Sequence, residues 1–125
     1  MATRSRIAIE KENGTVESIY CHWDGAPEDN GIKLLENWDY EMAQELIELG
    51  DISELGTNPD DTIAYHRDKG EDFNSMQHND QADFFGSDIE EWGYLIDTNG
   101  TWFVASGTSY NNEPEELNTY LTEAE

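Results

Sequence analysis

Ser5-Arg6-Ile7-Ala8-Ile9-Glu10-Lys11-Glu12-Asn13-Gly14-Thr15-Val16-Glu17-Ser18-Ile19-Tyr20 is the stretch from which the fold is read. Two runs rich in β-branched residues flank Asn13-Gly14, a dipeptide that supplies the positive φ angles of a tight hairpin turn. Ile7 and Ile9 alternate onto one side with Ser5, and Arg6 and Ala8 onto the other. The stretch predicts a β-hairpin over residues 4–22. The same signal returns far downstream, where Tyr94-Leu95-Ile96 and Trp102-Phe103-Val104 flank Asn99-Gly100. Two hairpins so far apart favour an α+β fold over a parallel wound sheet.

The intervening segments read mainly as helices and loops. Residues 23–30 carry the Gly, Pro and Asn of a loop. A short helix is expected at 31–38, with Leu34, Leu35 and Trp38 inward. A clearer one follows at 40–49: Asp39 stands at the N-cap, Tyr40, Ala43 and Ile47 keep helical spacing, Leu46 widens the stripe and Gly50 is the stop. Residues 51–61 read as a polar connection, 62–66 as a short strand and 67–79 as an extended loop. Ala82, Phe85, Ile89 and Trp92 form another helical stripe, weakened by Gly86. A last helix is expected from Pro114, with Leu117, Tyr120 and Leu121 on one face. The expected architecture is a single α+β domain over 1–125: a mostly antiparallel sheet of four or five strands packed with about three helices.

Charge narrows the function classes. The chain of 125 residues carries 29 acids against six bases, a net charge of −23. Residues 1–33 are nearly neutral, while the remainder holds 23 acids and only Arg67 and Lys69. Such a field repels nucleic acid and anionic membranes and steers the chain toward basic surfaces. Acidity that serves only solubility or salt tolerance is the plain alternative, although it should be spread evenly along the chain. One cysteine, Cys21, excludes a disulfide framework and suits a reducing compartment. No segment approaches the length of an apolar membrane span or a secretion signal, so a cytosolic location is expected.

The candidate partner-binding residues are carboxylates. Glu41, Glu45 and Glu48 fall at i, i+4 and i+7 on the helix face opposite Ala43 and Ile47, with no base in that helix to relieve them. At about 1.5 Å rise per residue they lie roughly 6 and 4.5 Å apart along the axis, a row that can stand in for backbone phosphates. Asp51 and Glu54 extend it, and Asp88, Glu90 and Glu91 add a second cluster, with Ser87 and Glu90 at capping-box spacing. A solvated helix face explains the same spacing without a partner. Glu113, Glu115 and Glu116 are expected in the first turn of the last helix, where the dipole favours acids. Arg67 and Lys69 are the only bases of the acidic two-thirds; they either pair internally or form a pocket for a small anion. Cys21-His22 has the residue types of a zinc site or thiol dyad. Neighbours on a strand point to opposite faces, however, and no paired ligand spacing supports zinc. There is no EF-hand pattern, G-x-S-x-G, P-loop or dinucleotide fingerprint, so neither a cofactor nor an enzymatic role is expected.

The segments Met1–Ile7 and Ser18–Gly25 (Ser-Ile-Tyr-Cys-His-Trp-Asp-Gly) resemble a family of small, largely uncharacterised proteins of tailed phages of the marine, cyanophage-like kind. The resemblance continues near Leu34-Leu35, Leu46–Asp51, Ala64–Glu71 and Tyr94–Phe103, with Ala26 standing where the family has an aromatic. It implies a phage-encoded protein made in an infected bacterium. With the charge, it leads to the expectation of a DNA-mimic inhibitor of a basic host nucleic-acid-binding protein, such as a restriction, CRISPR or transcription component. The alternatives are a module that sequesters a small nucleotide signal, or an acidic accessory protein.

Overall fold

Asn13 and Gly14 make the turn that the sequence promises. In the computed structural model, which describes residues 3–107 and 113–123, Gly14 adopts φ +86°. The Asn13 side chain accepts from the Thr15 amide at 3.1 Å and the Thr15 hydroxyl at 2.7 Å. Strands β1 (Ser5–Glu10) and β2 (Val16–Cys21) pair antiparallel, with Ile7 opposite Ile19. Met1 and Ala2, the first residues of the phage-like opening segment, lie outside the described residues.

The second hairpin forms as well. Strands β6 (Trp92–Ile96) and β7 (Trp102–Ser106) meet across Gly100, at φ +85°. β6 then lies beside β1 in parallel, Ile7 against Tyr94, so the two hairpins fuse into one sheet. β3 (Ile52–Glu54) runs parallel to β2 at Cys21, and β4 (Ile63–Ala64) pairs with β3. β5 (Met76–His78) takes the other end of the same β2 edge, antiparallel, and β8 (Glu115–Glu116) closes the far side against β7. The order is β4-β3-β2-β1-β6-β7-β8, with β5 paired to β2 off that path.

The class is α+β, but the expected sheet of four or five strands with about three helices is wrong. Among the described residues the sheet is mixed and has eight strands, and there are five α-helices. The missed strands are two or three residues long and lie in 51–61, 67–79 and 113–116. Segments that short show no period-2 pattern. The parallel pairs were equally hidden, because strand neighbours far apart in sequence leave no local trace.

Helices cover both faces. α1 (Ile32–Asn37), entered through a π-helical turn at Pro27–Gly31, contributes Leu34 to the larger core. α2 (Tyr40–Glu48) contributes Ala43, Leu46 and Ile47, and α5 (Leu117–Glu123) Leu117, around Ile7, Ile9, Ile19 and Tyr94. As the spacing predicts, the Asp39 carboxylate accepts from the Met42 amide at 2.9 Å. The opposite face holds a smaller core of Ala8, Val16, Leu95 and Ala105 beneath Phe84 and Phe85 of α4 (Gln81–Phe85). α3 (Tyr65–Lys69) follows β4 directly and takes the end of the strand expected at 62–66 and the start of the loop expected at 67–79.

The stripe at 82–92 is not one helix. Ile89 does reach the smaller core, but from an irregular segment, and Trp92 lies in β6. Ser87 donates its hydroxyl to the Phe84 carbonyl at 2.6 Å as α4 ends, and no capping box forms: the Glu90 amide bonds Asp88 at 3.1 Å. Sheet pairing of Trp92 with Ser5 and Ser106 overrides the helical spacing. Glu115 and Glu116 likewise lie in β8 rather than in a helical first turn, and α5 begins only at Leu117.

Candidate functional site

The end of β2 leads into a loop that is fixed from several directions yet exposes its aromatic ring. The Trp23 amide donates to Ser53 O at 3.0 Å, and its carbonyl accepts from Asn30 Nδ2 at 3.1 Å and the Cys21 thiol at 3.4 Å. Asp24 follows in the left-handed region at φ +60°, an uncommon conformation for a residue with a side chain. Gly25 is then tied by its amide to Thr3 O at 2.8 Å, and by its carbonyl to the Tyr94 hydroxyl at 2.6 Å. The Trp23 ring stays 44% exposed. A large ring on a constrained backbone loses little entropy on binding, which is what an interface anchor requires.

Trp23 is not alone. Its ring meets His22 edge-on at 4.9 Å between centroids, and His22 Nδ1 lies 2.7 Å from the Tyr20 hydroxyl. Tyr20 shares a shallow recess with Tyr65, lined also by Asp51, Glu71, Asp72 and Asn74. Burial, chiefly, raises the Tyr20 phenol above its ordinary pKa; Arg4 and Glu90 act on it with opposite signs. Beyond Tyr65, His66 meets the exposed Phe73 ring at 6.0 Å. The ammonium of Lys69 lies 5.4 Å from the centre of the Tyr65 ring. The sequence reading missed Tyr20, His22, Trp23 and Tyr65 as a group. The signal available was the unusual Tyr20–Gly25 stretch; the join to Tyr65 depends on β3 bringing Asp51 beside β2.

Cys21 is fully buried, and desolvation raises its thiol to about 11. It therefore offers no thiolate near neutral pH. Its side chain and that of His22 lie apart, as strand alternation requires, and no group of three or more metal-ligating residues forms among the described residues.

The carboxylates named from sequence divide between two sides of the sheet. Glu41, Glu45 and Glu48 are exposed on α2, which packs on the Ile7 face. Asp88, Glu90 and Glu91 flank Ile89, which packs on the opposite face. Asp51 accepts from the Tyr20 amide at 2.9 Å, and Glu91 from the Arg4 amide at 2.7 Å, so both hold backbone in place. Glu54 is exposed on β3. Only two ion pairs form among the described residues, Lys11–Glu17 and Arg67–Asp68. Arg67 also donates to Thr62 O at 2.6 Å and Pro59 O at 3.1 Å, which uses its guanidinium to brace the chain before α3.

Arg6 and His78 were unexpected neighbours. Arg6 is 7% exposed on the second face; its Nε donates to Ser18 Oγ at 3.1 Å, and that hydroxyl lies 2.9 Å from His78 Nε2. Burial, more than any neighbour, depresses both the Arg6 and the His78 pKa. The Ser18 hydroxyl accepts from Arg6 Nε and shares a hydrogen bond with His78 Nε2, the direction of which follows the imidazole tautomer.

No helix among the described residues is long and apolar enough to cross a membrane. Against known protein families, curated proteins and solved structures, the chain finds no match.

Proposed function

We propose that this chain is an acidic interaction protein, phage-encoded and working in the cytoplasm of an infected bacterium, that blocks a basic nucleic-acid-binding host protein by imitating a polyanion. The observation that carries this reading is the state of Glu41, Glu45 and Glu48. All three are exposed on one helix, and none belongs to either ion pair among the described residues. Their charge is available to an outside cation, and α2 is held in place by Ala43, Leu46 and Ile47. Because Asp88, Glu90 and Glu91 lie on the other side of the sheet, the competing surface is the α2 row rather than one patch joining all the acids. The mechanism is competition for the partner's phosphate-binding Lys and Arg residues, with fast, salt-sensitive association. No catalytic step is assigned.

The test is capture from host lysate on the immobilised chain at about 0.05 M and about 0.5 M salt, beyond which exposed charges are screened within about 5 Å. The expected result is a basic nucleic-acid-binding protein retained at low salt, released at high salt, and retained less well by Glu41→Gln/Glu45→Gln/Glu48→Gln. Equal retention by that variant would remove the α2 row from the proposal. Sequestration of a small nucleotide through Arg67 and Lys69 is less well supported, because Arg67 is occupied by Asp68, Thr62 and Pro59.

A further inference from the structure

The exposed Trp23 and Phe73 rings and the half-buried Tyr20, His22 and Tyr65 form a strip near the end of β2 that neither core uses. Ring contacts link Trp23 to His22 and His22 to Tyr20; the recess links Tyr20 to Tyr65, and His66, next to Tyr65, touches Phe73. Trp23 and Phe73 are 44% and 45% exposed. The borders are acidic: Asp24 follows Trp23, and Asp51, Glu71 and Asp72 line the recess. Two cations stand near, Arg4 beside the Tyr20 hydroxyl and Lys69 over the Tyr65 ring. Arg4 acts on Tyr20 by its charge and by a hydrogen bond, and Glu90 opposes it more weakly. Lys69 already covers one face of the Tyr65 ring, so an incoming cation would use the other face or displace it.

We propose that this strip is the anchor for an arginine side chain of the basic partner, an inference that rests on the polyanion reading and gives that reading a central contact. The complementarity is specific. A guanidinium is flat, stacks on Tyr and Trp faces, and donates in plane to carboxylates at the ring edge. The strip supplies several rings and bordering carboxylates together, whereas on α2 the one ring beside the carboxylates is Tyr40, whose hydroxyl is taken by Glu10 O. A lysine ammonium or neutral apolar side chain would use only part of this chemistry. The rigid Trp23 backbone lowers the ordering cost of the contact. Tyr20 lies on the Arg6 side of the sheet and α2 on the Ile7 side, so the two do not form one surface: the α2 row adds only long-range attraction, and the strip holds one arginine at close range.

The test is titration of the full chain with a nine-residue arginine peptide, followed by the ring resonances of Tyr20, Trp23 and Tyr65. A citrulline peptide of equal length serves as the uncharged control. The inference predicts that those resonances shift with arginine and not with citrulline. It also predicts that Trp23→Ala and Tyr65→Ala each weaken binding about tenfold. Trp23→Ala removes an exposed ring, and the wild-type resonances do not depend on any variant folding. Peptide binding weakened by Glu41→Gln/Glu45→Gln/Glu48→Gln but indifferent to Trp23→Ala and Tyr65→Ala would overturn the anchor and leave the polyanion reading standing. Binding indifferent to every variant, with no ring resonance moving, would overturn both.

Discussion

Replacing Tyr94 by Phe removes one oxygen from the centre of the larger core, and the effect can be worked out against an internal control. The Tyr94 hydroxyl donates to the Gly25 carbonyl at 2.6 Å, in a place where both residues are buried. The Tyr40 hydroxyl donates to the Glu10 carbonyl at the same 2.6 Å, but both of those residues are only half-buried. A net hydrogen bond contributes about 1 kcal/mol, and a buried acceptor left without a partner costs about 1–3 kcal/mol. When Tyr40→Phe vacates Glu10 O, water can take its place. When Tyr94→Phe vacates Gly25 O, it cannot. The expected losses are about 0.5–1 kcal/mol for Tyr40→Phe and about 2–3 kcal/mol for Tyr94→Phe. With a urea slope of about 2 kcal/mol/M, the two unfolding midpoints should differ by about 0.5 M or more. Equal midpoints, within about 0.2 M, would refute the claim that burial rather than bond length sets the cost. Because Gly25 ends the loop that carries Trp23, the same substitution should also loosen the aromatic strip.

His78 gives a pH test. Its pKa lies below the ordinary 6.5, from burial first and Arg6 second, while Asp83 opposes and Phe84 packs on the ring. The unfolded chain therefore takes up this proton more readily, and stability is lost as pH falls through about 6.5. Measured against His78→Gln, so that relief of the general acid repulsion cancels, the wild type should lose stability between pH 7 and pH 5; a flat difference would sink the assignment. At pH 8 a thiol raised to about 11 is about one-thousandth ionised, so Cys21 in the folded chain should react with a disulfide reagent at least a hundredfold more slowly than in urea. In Gly93→Ala the new Cβ would fall 2.9 Å from Ile89 Cβ and Cδ1. A cost of about 1–3 kcal/mol is expected by thermal or urea unfolding, partly recovered by Ile89→Val.

The parts of the fold legible in the sequence are those encoded within a few residues. Asn13-Gly14 and Asn99-Gly100 place both hairpins because the turn needs their backbone freedom, and Asp39 marks the start of α2 because its carboxylate reaches the Met42 amide. Failure came where distant segments decide. Ile89 satisfies a helical spacing and a core position at once, but pairing of Trp92 with Ser5 and Ser106 settles the matter for strand. Arg6 reads as a residue for a solvated face, yet α4 and the segment after it enclose that side, and the Ser18 hydroxyl accepts a hydrogen bond from its Nε. The acid row on α2 was legible by periodicity. The strip was not, because Tyr20 and Tyr65 come together only through β3, three residues long, at the edge of β2.

The parallel seam between β1 and β6 has a consequence during synthesis. Ile7 waits for Tyr94, 87 residues later, and the first hairpin has one unclaimed edge until then. At translation rates of about 5–20 residues per second that interval is roughly 4–17 s. A bare strand edge is an invitation to foreign strands. The nascent chain should therefore lean on ribosome-bound chaperones, and fragments ending before Trp92 should clump although their hairpin is already made.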